Sequence, residues 1–428
     1  MSSSSSSCRR LQNLAKHMSA PITPSPTAAF TKSMDDVVIV SALRTAIGKA
    51  RKGSFKNTTP DTLLSGILKA TIERTGIDPL VLGDIAVGNV QMSGSYAGPA
   101  RMAQFSAGLP YEVPLSTVNR QCSSGLQAVA NIANAISSGQ IDAGIGAGVE
   151  SMSVGGGVGG GAAEMMATVN ASELFNNDLA RQSLTPMGIT SENVAERYGI
   201  TRLEQDQMAM DSHKKALRAQ ELGYFNSEIV PITTTVETAD GEEKTIVVDK
   251  DDGPRKGTTM EGLARLKPAF KKGGSTTAGN ASQVSDGASA VLLMRRSKAI
   301  ELGMPILGAY RGFQVVGVQP DEMGIGPAAA IPAALKAAGL TTNDIDVFEI
   351  NEAFASQAAY CVKKLGIPME KVNPNGGAIS LGHPLGNTGA RMIATLMAEL
   401  KRTKKKLGVV SMCIGTGMGA CGIFECEA

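Results

Sequence analysis

A strand–helix–strand order occurs twice in this chain with nearly the same spacing, and no other feature narrows the fold as far. In the first copy a helical pattern over Thr62 to Thr75 leads into an apolar run from Asp84 to Val90; in the second, Ile331 to Leu340 leads into Asp344 to Ile350. Val87 stands 35 residues before Cys122, and Val347 stands 36 before His383. Behind each of those two residues comes another helical pattern, then a further apolar run, Ile141 to Val149 and Leu407 to Met412. Alternation of this kind predicts an α/β architecture with parallel strands. Its recurrence predicts two related halves packed back to back, with Cys122 and His383 at equivalent turns.

The turn at Asn119-Arg120-Gln121-Cys122-Ser123-Ser124-Gly125 is the most informative stretch. Downstream, Leu126, Val129, Ala130, Ala133 and Ile136 recur at three- and four-residue steps, an apolar helical stripe that stops at Ser137 to Gly139. Cys122 is therefore expected at a helix N-terminus. Unpaired backbone N–H groups and the positive end of the macrodipole lie there, so the thiol is expected to lose its proton more easily than a free one. A buried core cysteine is the alternative reading of one Cys taken alone.

Ser153 to about Ser282 breaks the rhythm. It opens on the Gly/Val tract Gly155 to Gly161 and holds a polar hairpin candidate turning at Asp240-Gly241. It reads as an inserted, partly mobile domain of the kind that carries binding surface. The division expected is a leader over 1–34, a first half over 35–152 with 283–304, the insertion over 153–282, and a second half over 305–428. A length of 428 residues suits that count. The leader has six consecutive Ser, four basic residues and no acidic one, and is expected to stay outside the fold.

A net charge of +2 argues against a nucleic-acid binder, and no run approaches the length of apolar residues a membrane span needs. Six cysteines without regular spacing fit a reducing compartment better than a disulfide framework. With three His, no CxxC and no HExxH, no metal site is expected. Two GxGxxG matches, at Gly155 and Gly417, lack a following helix and read as flexible or close-packed backbone.

Four residues at strand-to-helix or strand-to-loop junctions carry the chemistry: Cys122, Asn351 in Asn-Glu-Ala-Phe-Ala, His383 in Gly-His-Pro, and Cys413 in Cys-Ile-Gly. The set suits acyl transfer through sulfur. A thiolate attacks a carbonyl, imidazole accepts the thiol proton, and backbone N–H groups with an Asn-held water stabilise the oxyanion. A hydrolase needs one cysteine; carbon–carbon chemistry beside a thioester needs a second base to move a proton on carbon.

From about Asp35 to the C-terminus the chain resembles the thiolases, and within them the peroxisomal 3-ketoacyl-CoA group. The resemblance rests on five motifs in order: Asn119 to Gly125, Met187-Gly188-Ile189-Thr190-Ser191-Glu192-Asn193, Asn351 to Ala355, Gly376-Gly377-Ala378 to Gly382-His383-Pro384, and Cys413 to Gly419. It implies two similar βαβ-rich halves in a layered α-β-α-β-α core with an inserted loop domain. It implies thiolytic cleavage of a 3-ketoacyl-CoA by CoA, giving acetyl-CoA and an acyl-CoA shorter by two carbons, as in fatty acid β-oxidation. Cys122 would take the acyl group. His383 would activate it and form one oxyanion hole with a water on Asn351. Cys413 would move the proton on carbon or on incoming CoA, and the N–H groups of Cys122 and Gly415 would form a second hole. Coenzyme A would be a co-substrate, with no tightly bound cofactor, and Arg255, Ser282 and Met187 would lie along it. A homodimer is implied as well.

Two relatives of that chemistry differ from this chain at marker positions. Acetoacetyl-CoA-specific enzymes typically carry His before the Met-Gly pair, where this chain has Pro186; decarboxylating condensing enzymes typically replace the second cysteine by His, where this chain has Cys413. A non-catalytic acyl-CoA binder on the same fold would be expected to lack one of the four residues. In the leader, Arg10-Leu11, five residues, then His17-Met18 resembles an N-terminal peroxisomal targeting signal, which implies an import receptor as partner; a basic, acid-free leader also fits a mitochondrial presequence.

Overall fold

A computed structural model of the chain describes residues 30–154, 169–237 and 240–428. The first 29 residues of the leader and the tract at Gly155 to Gly161 lie outside the described residues. The strands and helices that position the site run in the order β1 (Val37–Thr45), α1 (Pro60–Thr75), β2 (Asp84–Gly88), β3 (Leu115–Val118), α2 (Ser124–Ser137) and β4 (Ala143–Ser151). Then follow α3 (Met187–Tyr198), α4 (Arg202–Glu221), the hairpin β5 (Ile232–Glu237) and β6 (Glu243–Val248), and β7 (Ser285–Arg295). The remainder is β8 (Gly308–Gly317), α5 (Gly326–Ala337), β9 (Val347–Ile350), α6 (Ala355–Leu365), α7 (Leu385–Thr403), β10 (Leu407–Ile414) and β11 (Met418–Cys426).

The main strands are hydrogen-bonded in the order β9-β10-β11-β8-β1-β7-β4-β2-β3, with two short strands off that path. The doubled order read from the sequence appears here as a doubled topology. β2 lies parallel to β4 with α2 between them in the chain, and β9 lies parallel to β10 with α7 between them. The two sets join where β1 pairs with β8 at Val38↔Ala309 and Ile39↔Gly308.

Layering follows from which faces are apolar. Leu63, Leu64, Ile67 and Leu68 of α1 share a core with Val38, Val40 and Ile85. On the opposite face of β1, Val37 and Ile39 share a core with Leu126 and Val129 of α2 and Ile393 and Leu396 of α7. Period-two alternation with both faces buried marks β1 as an interior strand. In the second half, Ile331, Ala334 and Leu335 of α5 cover Phe348, Val409 and Ile423. The paired helices α2 and α7 thus form the middle layer, with sheet on either side and helices outside.

What lets the middle layer close is the glycine pattern. β4 reads Ala143-Gly-Ile145-Gly-Ala147-Gly-Val149, with its side chains turned to the α1 core. Its glycines turn to the middle layer, where a Cβ at Gly148 would lie 2.3 Å from the Gly386 carbonyl oxygen. On the helices themselves, a Cβ at Gly389 would lie 2.3 Å from the Leu126 nitrogen, and one at Gly125 would lie 2.6 Å from the Gly386 oxygen. The first turns of α2 and α7 therefore touch backbone to backbone. Cys122 and His383 each stand two residues before one of those turns.

α5 begins at Gly326, five residues before the helical pattern expected from Ile331, because Pro327 is tolerated in a first turn and Pro332 is accommodated inside the helix. The hairpin expected around Asp240-Gly241 is present as β5 and β6, with Gly241 at φ 79°. Among the described residues no helix is long and apolar enough to cross a membrane.

Candidate active site

Cys122 follows Gln121, whose φ of 47° is left-handed, and precedes Ser123, the residue that caps α2. Gly415 faces it from the turn between β10 and β11, where Thr416 and Gly417 take φ of 70° and 93°. Two strained turns meet here, a pattern that surrounding structure must hold in place. Their effect is to bring the Gly415 N–H and the N–H of Cys122 itself onto the Cys122 sulfur. Cys413, fully buried near the end of β10, lies close enough that charge on Cys122 opposes its ionisation.

The expectation of an easily ionised Cys122 is corrected by the structure. Burial pushes the thiol up to about 11, and the two N–H groups only partly offset it. A helix N-terminus contributes partial charges, whereas loss of water affects the whole thiolate charge. Cys122 thus rests as a thiol and depends on a base to accept its proton. Burial, with Cys122 and Cys361 nearby, holds the Cys413 thiol further still above the ordinary cysteine range.

His383 can be that base. Its main-chain N–H donates to the Gln283 carbonyl at 3.0 Å, and Pro384 and α7 follow directly. Nδ1 lies 2.7 Å from Thr388 Oγ1, whose hydroxyl donates to the Pro384 carbonyl. The Thr388 oxygen therefore accepts from Nδ1–H, which leaves Nε2 as the basic nitrogen. Asn351 Nδ2 stands 3.3 Å from that nitrogen, and Asn351 Oδ1 is buried with no partner among the described residues. Burial, then the charge of Arg391, push the imidazole down to about 3. Burial with Arg255 and Lys49 nearby pushes His213 down to about 4. Both rings should therefore stay neutral from pH 8 down to 5.5, and NMR of histidine-labelled protein should show no titration step for either over that range. A step near 6.5 assigned to His383 would contradict the depth of the site.

The lead-in to β7 ties these parts together. Ser282 N–H donates to Ala353 O, two residues from Asn351, and the Gln283 side chain donates to the carbonyls of Gly253, Ile379 and Ser380. Ser282 is consequently placed between the Asn351 loop and the His383 turn. Arg255 sits on the loop that Gln283 anchors; its main-chain N–H donates to His213 Nδ1 at 3.2 Å and its side chain is exposed. Met187 is 36% exposed at the start of α3, outside both the Cys122–Cys413–Gly415 group and the Asn351–His383 pair.

Sequence reasoning missed two supports. Glu150 is buried, accepts from the N–H groups of Val90, Gln91 and Gly386 and from Asn89, and so pins the first turn of α7 to the loop after β2. Burial raises its carboxyl to about 7. A lone acid closing a Gly/Ala-rich buried strand was the available signal. Thr388, five residues after His383 in the first turn of α7, was the other. Among the described residues all five cysteines are free and no cluster of metal-ligating side chains occurs.

Two thiols, an imidazole kept neutral and convergent N–H groups define a site for acyl transfer on sulfur. The chain belongs to the thiolase family: residues 37–297 match the family description "Thiolase, N-terminal domain" and residues 304–426 match "Thiolase, C-terminal domain". Among its relatives, 3-ketoacyl-CoA thiolase A, peroxisomal, of Mus musculus is 63% identical over 394 residues, covering 92% of this chain and 91% of that one. The peroxisomal 3-ketoacyl-CoA thiolase of Homo sapiens is 58% identical over 426 residues, 97% of this chain and 99% of its own. The dimeric peroxisomal thiolase of Saccharomyces cerevisiae superposes with a TM-score of 0.84 at 50% identity, covering 93% of this chain and 99% of that one. A second structure of the yeast 3-ketoacyl-CoA enzyme, described as five layers built from two core domains of identical topology, has a TM-score of 0.75 at 45% identity over 93% of this chain and all of that one. The layered architecture described above is the same.

Proposed function

We propose that this chain is a peroxisomal 3-ketoacyl-CoA thiolase acting in β-oxidation as a homodimer, with coenzyme A as co-substrate. The observation that carries the residue roles is the meeting of the Cys122 sulfur with the Gly415 N–H, on the turn that directly follows the strand bearing Cys413. In the first half-reaction His383 Nε2 takes the Cys122 proton as sulfur attacks the 3-keto carbon. The N–H groups of Cys122 and Gly415 hold the oxyanion. The C2–C3 bond then breaks, its electron pair forms the enolate of acetyl-CoA, and Cys413 delivers a proton to that carbon. The enolate oxygen lies against His383 and a water on Asn351. In the second half-reaction the Cys413 thiolate takes the proton of incoming CoA, whose sulfur displaces Cys122 from the acyl group. Cys122 recovers its proton from His383, so the cycle closes with no net proton change.

Residues 153–282 form the insertion that grips CoA, with Arg255 toward the nucleotide phosphates and Ser282 toward the pantetheine. Position supports this reading, since Ser282 is hydrogen-bonded to the loop that holds Asn351, and Gly253 accepts from the side chain of Gln283, whose carbonyl accepts from the His383 N–H. Mass spectrometry after brief exposure to a 3-ketoacyl-CoA should find the shortened acyl group on Cys122. An adduct on another residue, or none, would refute the assignment. Import through the leader is a separate expectation: Arg10→Ala or His17→Ala should disperse a tagged protein from peroxisomes, and an unchanged distribution would remove the receptor from the account.

A further inference from the structure

We propose that Gln357 is a positioning residue for Cys413, its amide oxygen holding the thiol hydrogen so that the second cysteine enters the cleavage cycle as an acid. The inference rests on the role given to Cys413 above. Gln357 lies in the first turn of α6 and Cys413 near the end of β10, and both are fully buried. Gln357 Oε1 stands 3.5 Å from Cys413 Sγ and 3.4 Å from the main-chain N of Phe354.

The second contact decides the orientation of the amide. A backbone N–H can only donate, so the group facing Phe354 has to be the oxygen and not the NH2. With oxygen there, the sulfur meets it favourably as S–H, because a thiolate would face a lone pair. Nε2 is buried with no partner among the described residues, so nothing on that side holds the amide. Gly324 closes in from behind, where a Cβ would fall 2.6 Å from Gln357 Cβ. The neighbouring thiol, Cys361, points at Gly324 O instead, at 3.5 Å, and does not compete. The titratable groups that face Cys413 are Cys122 and Cys361, and neither supplies a positive charge.

In cleavage the S–H bond of Cys413 breaks, a C–H bond forms on the departing enolate carbon, and the electron pair stays on sulfur. That thiolate, beside an amide oxygen, then takes the proton of the CoA thiol. The acceptor thus keeps Cys413 protonated until the enolate carbon takes its proton and, by disfavouring the thiolate that results, favours the second transfer, from the CoA thiol to sulfur.

The test is exchange of the acetyl-CoA methyl hydrogens with D2O, catalysed by the full-length enzyme and followed by NMR across pH. Exchange requires the Cys413 thiolate. Gln357→Met removes the acceptor at similar length and should move the midpoint down; Gln357→Glu, a charged acceptor, should move it up, with about one pH unit or more between the variants. A residue that only caps α6 would lower the melting temperature and leave the midpoint in place, and that result would overturn the proposal. Should Gln357→Glu not fold, the comparison of Gln357→Met with the parent decides. Exchange that persists in Cys413→Ala is a different failure, because it removes the role of Cys413 itself.

Discussion

Cys413→Ala is expected to lose about 10³-fold or more in thiolytic cleavage while still accepting an acyl group from acyl-CoA on Cys122. The split follows from where the two sulfurs stand. Cys122 has main-chain N–H donors from itself and Gly415, and the acceptor proposed for its proton is His383, so neither depends on the Cys413 side chain. Cys413 is buried at the strand end, with Gln357 as its hydrogen-bond partner. Replacing it by Ala removes one sulfur atom and leaves a small void, so stability should fall by only about 1 kcal/mol. Release of acetyl-CoA from a 3-ketoacyl-CoA measures the loss, and intact-mass analysis after exposure to an acyl-CoA measures what is retained. Normal turnover would show that some other group protonates the enolate.

Gly389→Val should be the most disruptive substitution outside the reacting groups. A single Cβ at that position already falls 2.3 Å from Leu126 N and 2.6 Å from Leu126 Cβ. The backbone nitrogen cannot rotate away, so α2 and α7 must separate. Overpacking of this kind costs about 3 kcal/mol, read as a lower urea midpoint at unchanged slope. The same separation draws Cys122 and His383 apart, because each is fixed to the first turn of one of these helices. A misplacement near 1 Å should lower kcat by about 10²-fold at temperatures where the variant is still folded. Gly98→Val serves as the control, since that glycine is exposed and a Cβ there meets nothing within 4 Å. Equal effects from the two substitutions would show that the helix contact does not set the geometry of the site.

Much of this was readable in the residues. The period of 3.6 after Cys122 and the apolar runs on either side report local conformational preference and burial of one face, so α2, α7 and their flanking strands could be named with ends wrong by a few residues. Other parts depended on partners far along the chain. β1 continues past its apolar run Val37 to Val40, through Ser41 and Arg44, to Thr45. Arg44 is in fact fully buried, held by Glu228 and Asp251. Nothing near Arg44 in the sequence announces those carboxylates, and without them a buried guanidinium would be excluded.

The sequence by itself determined the kind of chemistry and the number of times the fold is repeated, since both are carried by residue type and by spacing along the chain. Only the tertiary structure decided the protonation states on which that chemistry runs. Cys122 is a thiol and not a ready thiolate, His383 is neutral with its proton on Nδ1, and the Gln357 amide faces Cys413 oxygen first. The reason is physical. The free energy of a charge is governed by the water removed from it and by the dipoles that replace that water, and at Cys122 and Cys413 those dipoles come from Gly415 and Gln357, on other elements of the fold.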